Sequence, residues 1–283
     1  MNIQWYPGHM TSARRMMEEN VKLVDIVIEV LDARVPFSSK NPDIDKLANN
    51  KFRLIILNKA DAADPVVTDR WISYYKEKGF TAIKTDARNR KDVQKVTALV
   101  QNICKEKIER DRKRGIINRP VKAMIAGIPN SGKSTFINSL AGKASAKTGN
   151  KPGVTRGKQW IKVAKNIDLL DTPGILWPKF EDQTVGMKLS FIGSINDDVV
   201  ERHELCLELL NMLKNFYCNN LTERYTITKD MSGEDALAKI ADIRKCLLKG
   251  GELDIEKAER ILLDDFRAGR LGRVSLDYPE DVR

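Results

Sequence analysis

The sequence predicts an α/β fold, a mainly parallel sheet of Rossmann-like type with helices on both faces, followed by a small all-helical domain. Three observations carry this. Short β-branched runs alternate with helical patterns up to Gly174. One of these runs leads through a glycine-rich turn straight into a helix. Beyond about residue 180, apolar residues recur only at intervals of three and four. Strands that alternate with helices pair in parallel and collect their ligands at their carboxyl ends.

The elements follow in order. Residues 24–33 (VDIVIEVLDA) and 53–58 (RLIILN) have strand length and composition. Residues 66–79 have helical spacing closed by Gly79, and 80–85 (FTAIKT) read as the next strand. A helix is expected over about 91–113, with KEKIERDRKR as its solvated face. Residues 121–126 (VKAMIA) form a strand entering the glycine turn, and a helix runs from Lys133 to about Ala141. Residues 159–164 and 167–171 look like a hairpin pair. DVVERHELCLELLNMLKNFY, GEDALAKIADIRKCLL and DIEKAERILLDDFRAGRLGR supply the helical part. The domains are expected at 1–178 and 179–283.

Composition agrees with two soluble domains. The chain has 283 residues, 42% of them hydrophobic, enough for a real core. No run approaches the roughly 18 apolar residues of a membrane span, and the first twenty residues lack the apolar centre of a secretory signal. A soluble cytoplasmic protein, with no membrane partner and taken as a monomer, is the expectation. Cys104, Cys206, Cys218 and Cys246 form no Cys-x-x-Cys pair, which points to reduced thiols. Residues 1–177 hold 33 of the 49 Lys and Arg but 18 of the 39 Asp and Glu, a net +15 against −5 for the remainder. That field suits a polyanion, with nucleic acid the leading candidate.

Gly127, Gly132, Lys133 and Ser134 fit G-x-x-x-x-G-K-[ST] between a strand and a helix. In such a loop the backbone N–H groups of residues such as Asn130, Ser131, Gly132 and Thr135 turn toward phosphates. Lys133 would bridge the β- and γ-phosphates, and the Ser134 hydroxyl would ligate Mg²⁺. DTPG follows a later strand, where Asp171 can hold Mg²⁺ and the Gly174 N–H can meet the γ-phosphate. Between them, in NKPGVTRG, Thr155 is the expected switch threonine, contacting Mg²⁺ and γ-phosphate in the triphosphate state. The base comes from Asn58, Lys59, Ala60 and Asp61: an ionised Asp61 accepts from both guanine N1–H and the exocyclic amine, a donor pair adenine lacks. Asn58 would tie the loops together and Lys59 would lie over the ring. In TDAR (85–88) Asp86 stands where a serine is usual, so the Ala87 backbone is the expected base contact there. GTP and GDP are the expected ligands.

The base motif precedes the phosphate loop, an order that resembles circularly permuted GTPases. WYPGHM (5–10), DARVP (32–36), PGVTRG and FRAGRLGRVSLDYP resemble the bacterial ribosome biogenesis GTPase A family over essentially the whole chain. The resemblance implies a cytoplasmic GTPase acting late in large (50S) subunit assembly, with the subunit precursor and ribosomal RNA as partners and a helical RNA-binding domain. A GTP-gated RNA-binding switch with little hydrolysis, or a small-subunit assembly GTPase, are the alternatives.

Ile175 follows DTPG where Ras-like enzymes place a water-orienting glutamine. Of the two histidines, His9 in the Pro-Gly turn is favoured over mid-helix His203 for that role. Asn130 resembles the asparagine of potassium-activated GTPases, which implies K⁺ beside the phosphates. Candidate RNA cations are Arg267, Arg270 and Arg273, Arg14 and Arg15, and Lys143, Lys147, Lys151, Arg156 and Lys158.

Overall fold

The computed structural model describes residues 3, 8–142, 159–164 and 166–282. The elements run α1 (Gly8–Val21), β1 (Ile26–Asp32), α2 (Asp43–Leu47), β2 (Phe52–Asn58), α3 (Pro65–Glu77) and β3 (Thr81–Thr85). Then come α4 (Arg90–Ile103), α5 (Lys105–Lys113), β4 (Val121–Ala126), α6 (Lys133–Ala141), β5 (Gln159–Ala164) and β6 (Ile167–Asp171). Helices α7 (Gln183–Phe191), α8 (Arg202–Phe216), α9 (Cys218–Tyr225), α10 (Gly233–Ile243) and α11 (Ile255–Arg267) complete the chain.

The strands form one sheet in the order β3-β2-β1-β4-β6-β5, parallel throughout except for β5, which returns antiparallel on β6. From the β1–β4 pair the chain proceeds outward in both directions. Such a reversal of strand order opens a crevice at the carboxyl ends, where open α/β sheets bind ligands. Register sharpens the point: Asp32 lies opposite Asn58, and Asn58 opposite Thr85. Three strands therefore release their loops at one level.

Both faces of the sheet are covered, and period-two alternation assigns side chains to each. Ile26, Ile28 and Val30 join Val93, Val96 and Val100 of α4 and Phe136 and Ile137 of α6 in one cluster. On the other face Val27, Met124 and Leu170 meet Met17 and Val21 of α1. Trp71 and Tyr75 of α3 cover Leu31, Ile55 and Leu57. Asp64 starts α3 by accepting from the Val66 and Val67 N–H groups, with Pro65 in the first turn.

The permuted order has a physical reading. Joined after Gly174, the order β4-α6-β5-β6 would continue into α1 and β1. Ile175 shares its cluster with Met17 and Val21, so α1 packs where a helix following DTPG would pack. A sheet tolerates such a change of ends because its contacts do not depend on which loop is cut.

The expected helix over 91–113 is two helices, broken at Cys104. KEKIERDRKR is not wholly solvated either: Lys107 and Asp111 are buried, and Lys107 pairs with Asp111 at 3.0 Å and with Asp25 at 3.2 Å. The Lys107–Asp25 contact ties α5 to the residue that precedes β1. Cys104, Cys206 and Cys246 are buried and Cys218 half-buried, all as free thiols. Burial pushes the Cys104 and Cys206 thiols up to about 12, which keeps them unreactive.

The helical part has its own apolar cluster, including Leu205, Leu209, Leu237, Leu262 and Phe266. The same cluster takes in Ile3, Met10, Val35, Ile128 and Leu176. Apolar packing therefore runs without interruption from the α7–α11 helices to the phosphate-loop side of the sheet.

Candidate functional site

Asn58 ends β2 and is buried. Its amide N–H donates to the Ser131 carbonyl at 2.8 Å, and its carbonyl oxygen accepts from the Ala87 N–H at 2.9 Å and the Thr85 hydroxyl at 3.3 Å. One side chain thus fastens the base-motif loop, the TDAR loop and the phosphate loop together. Lys59 adopts a left-handed φ of 60° and donates to the Asn130 carbonyl at 2.7 Å, a second tie between the same regions. The Ala60 N–H donates to the Thr85 carbonyl at 3.1 Å.

The glycines of the phosphate loop are required by close approach. A Cβ on Gly132, where φ is 93°, would lie 2.3 Å from Asn58 Nδ2; one on Gly127 would lie 2.5 Å from the Val30 carbonyl oxygen. Gly174 of DTPG is equally confined, since its Cβ would meet Pro129 N at 2.7 Å and Lys133 Nζ at 2.9 Å. DTPG and the phosphate loop are therefore in contact, and Thr172 reinforces this by donating its hydroxyl proton to the Ile125 carbonyl. Lys133 starts α6, is buried, and donates to the Ile128 carbonyl at 2.6 Å. Burial pushes its ammonium down to about 8, against the opposing pull of Asp171. Asp171 is buried, Ser134 half-buried and Thr135 exposed.

A cleft of about 180 Å³, open to solvent, lies between the base-motif loop and the start of α6. Asn58, Lys59 and Asp61 line it with Asp86, Ala87 and Arg88, and so do Gly132 and Thr135. The base-motif carboxylate and the phosphate loop thus line one open cleft. Such an arrangement can take a purine at the Asp61 end and an anionic tail over the start of α6.

Several side chains here escaped the sequence reading. Arg88 pairs with Asp61 and, at 3.0 Å, with Asp86, and holds the Asp86 carboxyl below the usual range despite its partial burial. Asp32 lies 3.0 Å from Lys59 Nζ and accepts two bonds from the Arg34 guanidinium, at 2.9 and 2.8 Å, and one from the Arg34 backbone N–H at 3.1 Å. Burial alone would raise the Asp32 carboxyl; Arg34 and Lys59 together hold it well below the usual range. Only the DARVP string, noted for family likeness, marked this pair. Arg267, expected among the RNA cations, is half-buried against Asp197 at 2.6 Å, and it lines the cleft with Ala268. Arg270 pairs with Asp265, while Arg273 is exposed.

Other expected groups are placed as follows. Asn130 donates its amide N–H to the Gly193 carbonyl and has a φ of 58°. Ile175 is buried, with its carbonyl accepting from Asn41 at 3.2 Å, so its side chain faces the core. His9 lies in the first turn of α1, and its side chain is outside the described residues; the adjacent Met10 is fully buried in the cluster that includes Ile128 and Leu176. His203, expected mid-helix, is in the first turn of α8, between Glu259 at 2.6 Å and Glu234 at 3.0 Å. Thr155, Lys143, Lys147, Lys151, Arg156 and Lys158 lie outside the described residues.

A parallel sheet in this order, with a glycine-rich loop and a carboxylate-bearing base loop on one cleft and a buried lysine at the start of the following helix, defines a P-loop GTPase of permuted chain order. Comparison with known proteins makes the class particular. A family model described as 50S ribosome-binding GTPase matches residues 122–239. Ribosome biogenesis GTPase A of Bacillus cereus is 45% identical over 284 residues, covering 99% of this chain and 95% of that protein. The protein of the same name from Thermotoga maritima is 31% identical, covering 99% and 96%. The crystal structure of GNP-bound YlqF from T. maritima superposes with a TM-score of 0.70 at 28% identity, covering 96% of this chain and all of that one. The chain belongs to the ribosome biogenesis GTPase A family and is a GTP hydrolase.

Proposed function

We propose that this GTPase acts in a late step of large ribosomal subunit assembly, binding the subunit precursor through ribosomal RNA and hydrolysing GTP as a checkpoint. The observation that carries the nucleotide part is the single cleft holding Asp61 and the phosphate loop, bound into one unit by Asn58. Asp61 reads guanine N1–H and the exocyclic amine and Lys59 covers the ring, while the Ala87 N–H, which already donates to Asn58 Oδ1, fixes the TDAR loop beside the base in place of the expected base contact. Backbone N–H groups of 130–135 and the start of α6 take the phosphates, with Lys133 between β and γ and the Gly174 N–H on γ. The family model's name and the relatives' names support the ribosomal role.

Mg²⁺ suits the site. The Ser134 hydroxyl and the Asp171 carboxylate, whose charge acts on Lys133, are hard oxygen donors, and Thr155 is the expected third protein ligand. The ion would neutralise charge between the phosphates. K⁺ at Asn130 is part of the same proposal, as is His9 for orienting the attacking water. The burial of Ile175 leaves no side chain at that position to hold a water. Hydrolysis is then slow alone and accelerated when the particle brings His9 to the attacking water. We take 1–178 as the GTPase domain and 179–283 as the RNA-contacting one. No described helix is long and apolar enough to cross a membrane, and we place the protein in the cytoplasm as a monomer.

Co-sedimentation with separated ribosomal subunits tests this. Binding to the large-subunit fraction with a non-hydrolysable GTP analogue, release with GDP, and faster GTP turnover on adding that fraction are expected. Equal binding to both subunits, or turnover unchanged by either, would overturn the assignment.

A further inference from the structure

The cleft is not built from the nucleotide motifs alone. Arg267 and Ala268, at the carboxyl end of α11, form part of its wall beside the base loop. The nucleoside end of the site is therefore completed by a segment more than a hundred residues removed from the phosphate loop.

That wall is tied to the base reader by a chain of charged contacts. Lys59 bridges the Asn130 carbonyl and the Asp32 carboxylate. Asp32 holds Arg34 through both carboxylate oxygens, and Arg34 donates onward to the Phe266 carbonyl at 2.8 Å and the Arg267 carbonyl at 3.3 Å. Asp32 and Arg34 are fully buried. The last carbonyls of a helix have no partner within it and carry partial negative charge, so a buried guanidinium is their natural cap. Breaking any link would strand a buried charge, which makes the chain move as a unit.

Further contacts hold the same surfaces together. The Val274 N–H donates to the Ala62 carbonyl at 3.0 Å and the Leu276 N–H to the Arg34 carbonyl at 2.7 Å. The Ser194 hydroxyl donates to the Pro129 carbonyl at 2.7 Å. Arg267 itself clamps the end of α7, donating to the Ser190 and Phe191 carbonyls at 2.9 and 3.0 Å and to Asp197.

We propose that Arg267 is a nucleoside-pocket residue supplied by the helical region, and that Arg34 is a positioning residue that couples this wall to Lys59. Guanine-nucleotide binding and docking of the 266–276 segment are then one equilibrium. The linkage begins at the base side of the cleft, so GDP engages it as fully as GTP does. This separates it from any switch that senses the γ-phosphate. The inference rests on the nucleotide reading of the cleft given above.

The test uses the full chain and unlabelled nucleotides. In the unaltered protein, hydrogen–deuterium exchange should show GDP and a non-hydrolysable GTP analogue slowing exchange of Val274 and Leu276 to the same degree. By calorimetry, Arg267→Ala should weaken both nucleotides by one common factor, about tenfold for loss of a charge-assisted contact. Arg267→Lys should fall between the two, and Asp197→Asn, which frees the Arg267 anchor without altering the cleft lining, should weaken both nucleotides several-fold. A purely structural Arg267 would lower the melting temperature in these variants and leave GDP affinity unchanged. That result, or exchange at 274 and 276 indifferent to GDP, overturns the proposal while leaving the GTPase reading intact. Failure of the unaltered protein to bind GDP would instead remove the nucleotide reading itself.

Discussion

Replacing Asn58 by alanine tests how the site is held together. The change deletes one carbonyl oxygen and one amide N–H, both buried, and leaves the Ala87 N–H and the Ser131 carbonyl without the partners now at 2.9 and 2.8 Å. Each orphaned buried group costs about 1–3 kcal/mol, while the Thr85 hydroxyl, at 3.3 Å, can rotate to another acceptor. The two together cost about 2–6 kcal/mol, of which about 2–4 kcal/mol is assigned to the nucleotide-bound state. In the free protein the three loops can part and hydrate those groups, so most of the loss should appear when nucleotide forces them together. Asn58→Ala should bind GDP about 30- to 1,000-fold more weakly, with a smaller fall in melting temperature. Calorimetric titration and thermal melts measure both. GDP affinity within about threefold of the unaltered protein would refute the reasoning, because the loops would then hold their places without this side chain.

Other outcomes follow from neighbouring geometry. Lys133 is pushed down to about 8, so above that pH binding must return a proton to it: nucleotide affinity should be level below 8 and fall up to about tenfold per unit above, with proton uptake on binding. Titration in two buffers of different ionisation enthalpy shows this, and a flat profile through 8 contradicts it. A lysine lowered in the fold also means stability that rises with pH from about 8 toward its ordinary 10.5. Gly174→Ala would drive a Cβ to 2.7 Å from Pro129 N, separating DTPG from the phosphate loop; binding of a GTP analogue should drop about tenfold more than binding of GDP. His203 is raised by Glu259 and Glu234, so its contribution to stability is complete below its ordinary 6.5 and lost as pH rises through the raised value. Melting temperatures of His203→Ala should therefore vary less with pH above 6.5.

The parts of this molecule that were legible in the sequence are those with local signatures. G-x-x-x-x-G-K-[ST] needs its residues within one turn, and the strand at 121–126 and helix at 133–141 formed as the pattern required. Alternation and β-branching located β1 and β2, which are buried along most of their length, and also the edge strand β3, where only Thr85 is buried. The hairpin of β5 and β6 and the helical final third were equally plain. What the sequence hid are partners far apart in the chain. Nothing near Arg34 announces a bond to the Phe266 carbonyl 232 residues away. Nothing near Arg267 distinguishes a cation that caps α7 and pairs with Asp197 from one that awaits RNA. Short α2 and the break at Cys104 were missed because a five-residue helix has too little periodicity to register and the turn at Cys104 interrupts an otherwise continuous helical pattern.

The most direct test of the account is a titration of the unaltered protein and of Asp61→Asn with GDP, ADP and XDP. If one carboxylate reads the purine while the phosphate loop holds its tail, the unaltered protein should prefer GDP to ADP by at least about a hundredfold, and Asp61→Asn should exchange GDP for XDP, whose C2 oxygen the new amide can meet. ADP held as tightly as GDP, or an Asp61→Asn protein with unchanged preference, would contradict it.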